Sequence, residues 1–368
     1  MSPGDQGAPT MRYSHHATLM SKSLYPIMAQ NGVPEIPTFP QEIMLTTTFN
    51  CNYRCRMCFQ EHYDKREMPW EMVEKLRDAL YFADTIQLIG GEPMIWSHFK
   101  KAVVLANETS TKVRITTNGS LMDTEMNRFL VENEVFDLRI SVDAATAKTY
   151  KHIRGGNFLR LLNNVQELSR FKQIAGSEWP IVEFNVVAMK SNVGELTKLI
   201  ALADSLGVFQ INVHYMNCTR EEWLPESLYF HQDYSDECLL KASEAATAVG
   251  IRINLPVPFK GEAVSQTRVS TRCDEPWRAF LVNMDGVCQI CCGGADPVGN
   301  LNESDFMEMW NGAGIQALRS TVNTPDKPDY CRKCFGRMQK VESIYTHLSR
   351  PLAAKFKAGE LLLDREAS

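Results

Sequence analysis

The sequence has no surplus of basic charge: 39 Lys and Arg stand against 44 Asp and Glu, a net charge of -5 at pH 7. Nucleic acid and anionic membrane surfaces, which bind through clustered cations, are therefore not expected partners. No run approaches the roughly 20 apolar residues that a membrane helix needs. Residues 1–22 mix His, Ser, Arg and Asp without the continuous apolar stretch of a secretory signal. A soluble, cytoplasmic protein is expected. Only 21 glycines and 17 prolines occur in 368 residues, too few for a collagenous or disordered chain, and the 44% hydrophobic content is enough for a substantial core. On a prior of about 150 residues per domain, the length suits two domains or one large barrel with an appendage.

Cysteine is what the sequence does have. Of the 11 cysteines, nine lie in three neighbourhoods: Cys51, Cys55 and Cys58; Cys273, Cys288, Cys291 and Cys292; Cys331 and Cys334. Disulfide scaffolds belong to small secreted chains, so metal or redox chemistry is the better explanation.

From residue 44, short β-rich runs alternate with helical patterns. Strands are predicted at 44–49, 85–89, 113–117, 138–142, 182–187 and 209–214, with helices near 69–82, 95–109, 122–132, 158–172 and 193–206. Such alternation marks βα units around a parallel sheet, here a six-stranded partial TIM-like (β/α)6 barrel with chemistry at the carboxyl ends of its strands. A helix near 234–249 and a run at 251–255 close the unit, and 256–272 reads as a linker. Beyond it, Asp285-Gly286 between apolar runs predicts a hairpin, and 306–319 predicts an amphipathic helix. The expected division is an N-terminal extension at 1–43, the barrel at 44–255, the linker, a cysteine-rich domain at 273–340 and a docked helical tail at 341–368.

Cys51, Cys55 and Cys58 put three thiols in eight residues directly after a strand. Three thiolates can hold three irons of a cubane and leave the fourth open, whereas zinc would want a fourth protein ligand, for which His62 competes.

CX3CX2C after the first strand, Gly90-Gly91-Glu92-Pro93 after the second, Thr117-Asn118-Gly119 after the third and Ser141-Val-Asp143 after the fourth together resemble the radical S-adenosylmethionine (radical SAM) superfamily. The resemblance spans about 44–216. It implies that Cys51, Cys55 and Cys58 ligate a 4Fe-4S cluster whose open iron is chelated by the amino and carboxylate groups of S-adenosylmethionine (AdoMet). Gly90, Gly91 and Glu92 would receive the methionine amine. Asn118, Ser141 and Asp143 would contact the methionyl and ribose groups, with the alternative of capping the following helices. Asn185 would add a polar contact, and Arg154 would face the AdoMet carboxylate or remain a solvated helix charge. Before the last cluster cysteine, where the family often has an aromatic residue, stands Met57, with Phe59 following Cys58 as a further cofactor contact; a polarizable methionine can still cover adenine.

The order Cys273, Glu275-Pro-Trp277, hairpin, Cys288, Cys291, Cys292, Gly299-Asn300-Leu301 and Cys331-Arg-Lys-Cys334 resembles the auxiliary-cluster extension called a SPASM or twitch domain. The short form is similar to aminoglycoside-pathway dehydrogenases. It implies a second 4Fe-4S cluster on Cys273, Cys291, Cys331 and Cys334, with Cys288 or Cys292 as substitutes for Cys291.

These resemblances imply an oxidoreductase that cleaves AdoMet to a 5′-deoxyadenosyl radical, abstracts hydrogen from a small polar metabolite of sugar or aminocyclitol type, and oxidises it with help from the second cluster. A reducing partner such as flavodoxin or ferredoxin would supply the electron. The alternatives are ribosomal-peptide modification, epimerisation with Cys218 as hydrogen donor, and a noncatalytic iron-sulfur electron carrier. His214 and Tyr215 are expected near the substrate, whereas Cys238 is expected in a helix-packing core.

Overall fold

The computed structural model describes residues 15–60, 63–260, 272–292, 295–332, 334 and 343–361. The described strands are β1 (Glu42–Thr48), β2 (Thr85–Gly90), β3 (Lys112–Thr117), β4 (Asp137–Ser141), β5 (Ile181–Ala188), β6 (Gln210–Tyr215), β7 (Arg252–Asn254), β8 (Ala279–Asn283), β9 (Val287–Gln289) and β10 (Gly299–Asn300). Their contacts divide the chain into two compact units. The first holds Met1–Thr48, Arg66–Arg114 and Arg272–Pro328, and the second holds Phe49–Lys65, Ile115–Thr271 and Asp329–Ser368.

In the first unit β1 runs parallel to β2 on one side and to β8 on the other, with Ile43 level with Ile86 and Phe280. Strands β8, β9 and β10 continue as an antiparallel meander. The predicted hairpin is present, and its Gly286 takes φ +79, a left-handed value that favours glycine. The helix expected over 306–319 is two helices, Phe306–Trp310 and Ala313–Thr321. They break at Gly312, where a Cβ would stand 2.9 Å from the Glu308 carbonyl. Sequence periodicity did not reveal the helix His15–Asn31, because Pro26 lies inside it.

In the second unit β4, β5, β6 and β7 are consecutive parallel strands. Val182, Phe184, Val186, Ile211 and Val213 are buried. The helices Phe158–Ala175, Leu196–Ser205 and Gln232–Val249 each bury an apolar stripe, including Leu161 and Val165, Leu199 and Ala203, and Leu239 and Ala242. Intervening strand residues include the polar Arg139, Ser141, Glu183, Asn185, Gln210 and Asn212. An unpredicted helix, Ala147–Arg154, starts where Thr146 accepts from the Thr149 N–H and ends at Gly155, φ +73.

The tail does dock, through Ile344, Leu348, Leu352 and Ala353 in a core cluster with Ile153, Met189, Met216, Cys218 and Trp223. Leu361 packs partly against that cluster, while Leu362 and Leu363 lie outside the described residues. Of the expected linker, 261–271 also lies outside them, whereas Phe259 and Lys260 donate backbone N–H groups to Asp236 at 2.8 and 2.7 Å. No described helix is long and apolar enough to cross a membrane.

Candidate active site

In the second unit the three-thiol loop is fastened to the Ala147–Arg154 helix. The Arg56 N–H donates to the Ile153 carbonyl at 2.9 Å, and the Cys58 N–H donates to the Cys55 carbonyl at 3.1 Å, which turns the chain between those thiols. Tyr53 packs edge-on against Tyr150, with centroids 6.5 Å apart. It also occupies the space beside Gly156, where a Cβ would meet the ring at 2.2 Å. The second glycine of Ile153-Arg-Gly-Gly thus makes room for a side chain of the cysteine loop.

Cys51, Cys55 and Cys58 form no disulfide and are only partly exposed. The Tyr53 N–H donates to the Cys51 sulfur at 3.4 Å, as does Asn118 Nδ2 at 3.9 Å. Arg154 Nη1 donates to the Cys55 sulfur at 3.5 Å. Burial raises the Cys55 pKa and the Arg154 charge opposes that rise. Three soft donors, of which the Cys51 sulfur receives N–H groups and the Cys55 sulfur a guanidinium, suit thiolates bound to iron. Among the described residues no three His, Cys, Asp or Glu groups are arranged for a single metal ion, and the zinc competitor His62 lies outside those residues.

Arg154 is held from its other side by an ion pair with Asp143. Asp143 is fully buried, and its other carboxylate oxygen accepts the Val187 N–H at 2.6 Å. Asp143, expected to touch the cofactor, pairs with Arg154 and has no exposed surface. Asn118 is likewise engaged: Nδ2 donates to Asn52 at 2.9 Å, and Oδ1 accepts the Ser120 N–H at 2.9 Å. Asn52 in turn donates to Ser120 Oγ at 2.7 Å. Sequence reasoning missed Asn52 and Ser120. Their signal was only adjacency, to Cys51 in one case and to Asn118-Gly119 in the other.

A narrow cleft in the same unit, with about 10 Å³ of space for water, is lined by Met57, Ile153, Met189, Met216 and Trp223, with Arg56, His152, Ser191 and Glu226. Met57 therefore faces this cleft. Phe59, the expected aromatic contact, is 78% exposed and is not among the lining residues.

The remaining candidates separate. Ser141 and Asn185 stand level on β4 and β5. His214 is exposed on β6, and desolvation and then the Arg139 charge lower its pKa. The Tyr215 hydroxyl donates to the Val257 carbonyl at 3.0 Å, and its ring packs against Phe259 and His347. Cys218 is fully buried, donates to the Arg220 carbonyl at 3.0 Å and has its pKa pushed up to about 11 by burial. Cys238 is buried on the inner face of its helix.

In the first unit Gly90 has φ +136, and a Cβ there would lie 2.3 Å from the Thr48 carbonyl, which the Gly91 N–H also reaches at 2.7 Å. Glu92 is fully buried and accepts the Met94 N–H at 3.3 Å, capping the short turn Pro93–Ile95. Asn323 clamps the Cys273 backbone with two hydrogen bonds of 2.8 Å. Cys288 is buried in β9, donates to the Gly286 carbonyl at 3.2 Å and has its pKa raised to about 12 by burial, while Cys291 is partly exposed and Cys292 exposed. In the second unit the Cys334 N–H reaches the Cys331 carbonyl at 3.4 Å, repeating the turn between Cys55 and Cys58.

Residues 45–203 match the radical SAM superfamily, and residues 273–335 match the SPASM iron-sulfur cluster-binding domain. Among curated relatives, the tungsten-containing aldehyde ferredoxin oxidoreductase cofactor-modifying protein of Pyrococcus furiosus is 27% identical over 45% of this chain and 49% of its own length. Mycofactocin maturase MftC of Mycobacterium ulcerans is 28% identical over 44% of this chain and 43% of its own length. The matches thus span about half the length of these relatives. Streptococcus suis SuiB, solved with its precursor peptide SuiA, superposes with a TM-score of 0.60 at 13% identity, covering 87% of this chain and 75% of that one. The fold is accordingly the partial (β/α) barrel with an iron-sulfur extension that the sequence implied.

Proposed function

We propose that this chain, which matches the radical SAM superfamily over residues 45–203 and a SPASM iron-sulfur domain over 273–335, abstracts a hydrogen atom from an amide-bearing substrate, foremost a peptide. AdoMet and iron-sulfur clusters are its cofactors, and its catalysis is of the oxidoreductase type. When bound, AdoMet and the first cluster supply a one-electron cleavage that delivers a 5′-deoxyadenosyl radical.

The observation that carries the proposal is the fixed set Cys55, Arg154 and Asp143. Cys51, Cys55 and Cys58 hold the first cluster, and Arg154 offsets thiolate charge where burial would otherwise oppose it. Met57, which lines the narrow cleft with Ile153, Met189 and Met216, is the proposed cover for the adenine. Gly90, Gly91, Glu92, Asn118 and Ser141 remain the proposed AdoMet contacts, with Asn118 also bracing the cysteine loop. Cys273, Cys291, Cys331 and Cys334 are the proposed ligands of the second cluster; Cys288 is the weaker substitute because its thiol is buried against its own turn. A flavodoxin or ferredoxin remains the proposed electron donor.

The peptide alternative gains over oxidation of a sugar or aminocyclitol, and resemblance to the aminoglycoside-pathway dehydrogenases carries less weight. Support comes from a relative named as a maturase and a fold neighbour solved with a precursor peptide. Epimerisation through Cys218 is not favoured, because that thiol is buried in the apolar cluster. The test is anaerobic: reduced, reconstituted protein with AdoMet should form 5′-deoxyadenosine, and deuterium should pass into it from a labelled peptide but not from labelled sugars. Transfer from a sugar alone would return the assignment to a small metabolite.

A further inference from the structure

Parallel strands normally bury apolar residues on both faces, but one face of β4–β7 does not. Register aligns Ser141, Asn185, Asn212 and Asn254 in one transverse row, with Arg139, Glu183 and Gln210 in the row below and His214 one step above. Glu183, only 8% exposed, is a carboxylate where a core residue would be expected. His214, on the same face, is exposed to solvent.

Asn212 is the hub, and its hydrogen bonds use all of its capacity. Its Nδ2 donates to Glu183 Oε2 at 2.9 Å and to Asn185 Oδ1 at 3.1 Å. Its Oδ1 accepts from Gln210 Nε2 at 3.1 Å and from Asn254 Nδ2 at 2.7 Å. Those bonds settle the orientation of both neighbours. Asn185 turns its oxygen to the hub and presents its NH2; Asn254 turns its NH2 to the hub and presents its oxygen. A donor and an acceptor thus stand two strand spacings apart, about 10 Å.

That pair complements a carboxamide, whose oxygen and N–H point in opposite directions. Two hydrogen bonds of about 2.9 Å plus the amide itself reach about 8 Å, less than the strand separation, and both side chains reach inward to bond Asn212. Charge agrees, because Arg139 lies between two carboxylates, 3.7 Å from Asp137 and 3.5 Å from Glu183, and brings no net cation for a phosphate. Arg252, on the next strand, is stacked over the Phe209 ring at 4.6 Å.

We propose that Asn185 and Asn254, set by Asn212, grip the substrate's carboxamide: its carbonyl accepts from Asn185 Nδ2 and its N–H donates to Asn254 Oδ1. The inference rests on the radical reading above and deepens it by naming the group recognised. It also moves Asn185 from the expected cofactor contacts to the substrate. A peptide bond and an N-acetylated sugar share this chemistry.

The test uses the reconstituted full chain, reduced and with AdoMet, and reads 5′-deoxyadenosine formation as a ratio with and without probe. The probes are a capped tetraglycine, N-acetylglucosamine, the N-methylated form of each amide, and glucose 6-phosphate. A secondary-amide probe should raise the ratio, with its N-methyl form poorer by about tenfold, the loss expected for one hydrogen bond. In Asn254→Leu, an exposed position on a short strand, that discrimination should vanish while a carbonyl-dependent response persists. Whether the tetrapeptide or the sugar responds distinguishes the two sources. Stimulation by glucose 6-phosphate alone, no stimulation by either amide, or N-methyl discrimination surviving in Asn254→Leu would each overturn the inference. No 5′-deoxyadenosine from any sample, with or without probe, would instead overturn the radical reading and this inference with it.

Discussion

The Arg154 guanidinium lies 3.5 Å from the Cys55 sulfur and pairs on its other side with the fully buried carboxylate of Asp143. Asp143 takes φ +56 and accepts the Val187 N–H, so its position is set by the backbone beyond β4 and by β5. One ion pair therefore relays the geometry of the sheet to a thiol of the cysteine loop.

Removing one partner of a buried pair costs more than removing both. Arg154→Met should destabilise the protein by ~3–5 kcal/mol, because Asp143 is left uncompensated in the interior. Adding Asp143→Asn should recover much of that stability in urea melts without restoring AdoMet cleavage. If the double variant regained full cleavage, Arg154 would be only a structural counter-charge.

Gly156 makes a cleaner probe of the cysteine loop, since its backbone has no left-handed φ and the nearest obstacle to a side chain is the Tyr53 ring. Gly156→Ala should displace Tyr53 and lower iron retention at the first cluster by a large fraction, read by iron analysis after gel filtration. Combining it with Tyr53→Ala relieves the clash and should restore part of the iron. Equal iron in Gly156→Ala and the parent protein would show that the ring contact does not hold the loop.

Alternating strands and helices were legible because their apolar spacing is local, and β2 through β6 lie within a residue or two of the expected runs. The Ala147–Arg154 helix was not, since its buried residues are few and one of them is Arg154. The cysteines and strand-end motifs marked the site chemistry. The burial of Asp143 and the exposure of Phe59 were not legible, because they depend on neighbours that spacing cannot report. Asn212 was invisible for the same reason: its meaning comes from Glu183, Asn185 and Asn254 on neighbouring strands.

Iron stoichiometry separates the two clusters. Fully reconstituted protein should hold about eight irons, four for each cubane, and replacing Cys51, Cys55 and Cys58 with Ala should leave about half. AdoMet should perturb the electron paramagnetic resonance of the first cluster only. Four irons in the unmodified protein, with stoichiometric zinc, would point to a zinc site in place of the second cluster.

His214 gives a pH dependence of stability. Burial, and next the Arg139 charge, depress its folded pKa below the ordinary value of about 6.5. As pH falls below that unfolded value, the unfolded chain binds a proton that the folded chain resists, so stability drops toward the depressed folded pKa. His214→Asn should flatten this component of the slope in melts from pH 7 to 5. An unchanged slope would mean that His214 does not titrate differently on folding.

The C-terminal segment offers the last test. The Cys218 N–H donates to the His347 carbonyl at 2.7 Å, and the Ser349 N–H donates to the Cys218 carbonyl at 2.8 Å, so residues 347–349 pair along the chain at Cys218. Leu348 and Leu352 then pack in one cluster with Ile153, Met189, Met216 and Trp223, which also line the cleft beside Met57. Leu348→Ala should cost ~2–5 kcal/mol, the range for a large-to-small change in a packed core. Because that cavity opens behind the cleft wall, the AdoMet KM should rise more than kcat falls. Leu352→Met, which roughly conserves volume, should keep both near the parent values. A Leu348→Ala variant with lowered stability but an unaltered AdoMet KM would confine the tail to holding the fold together.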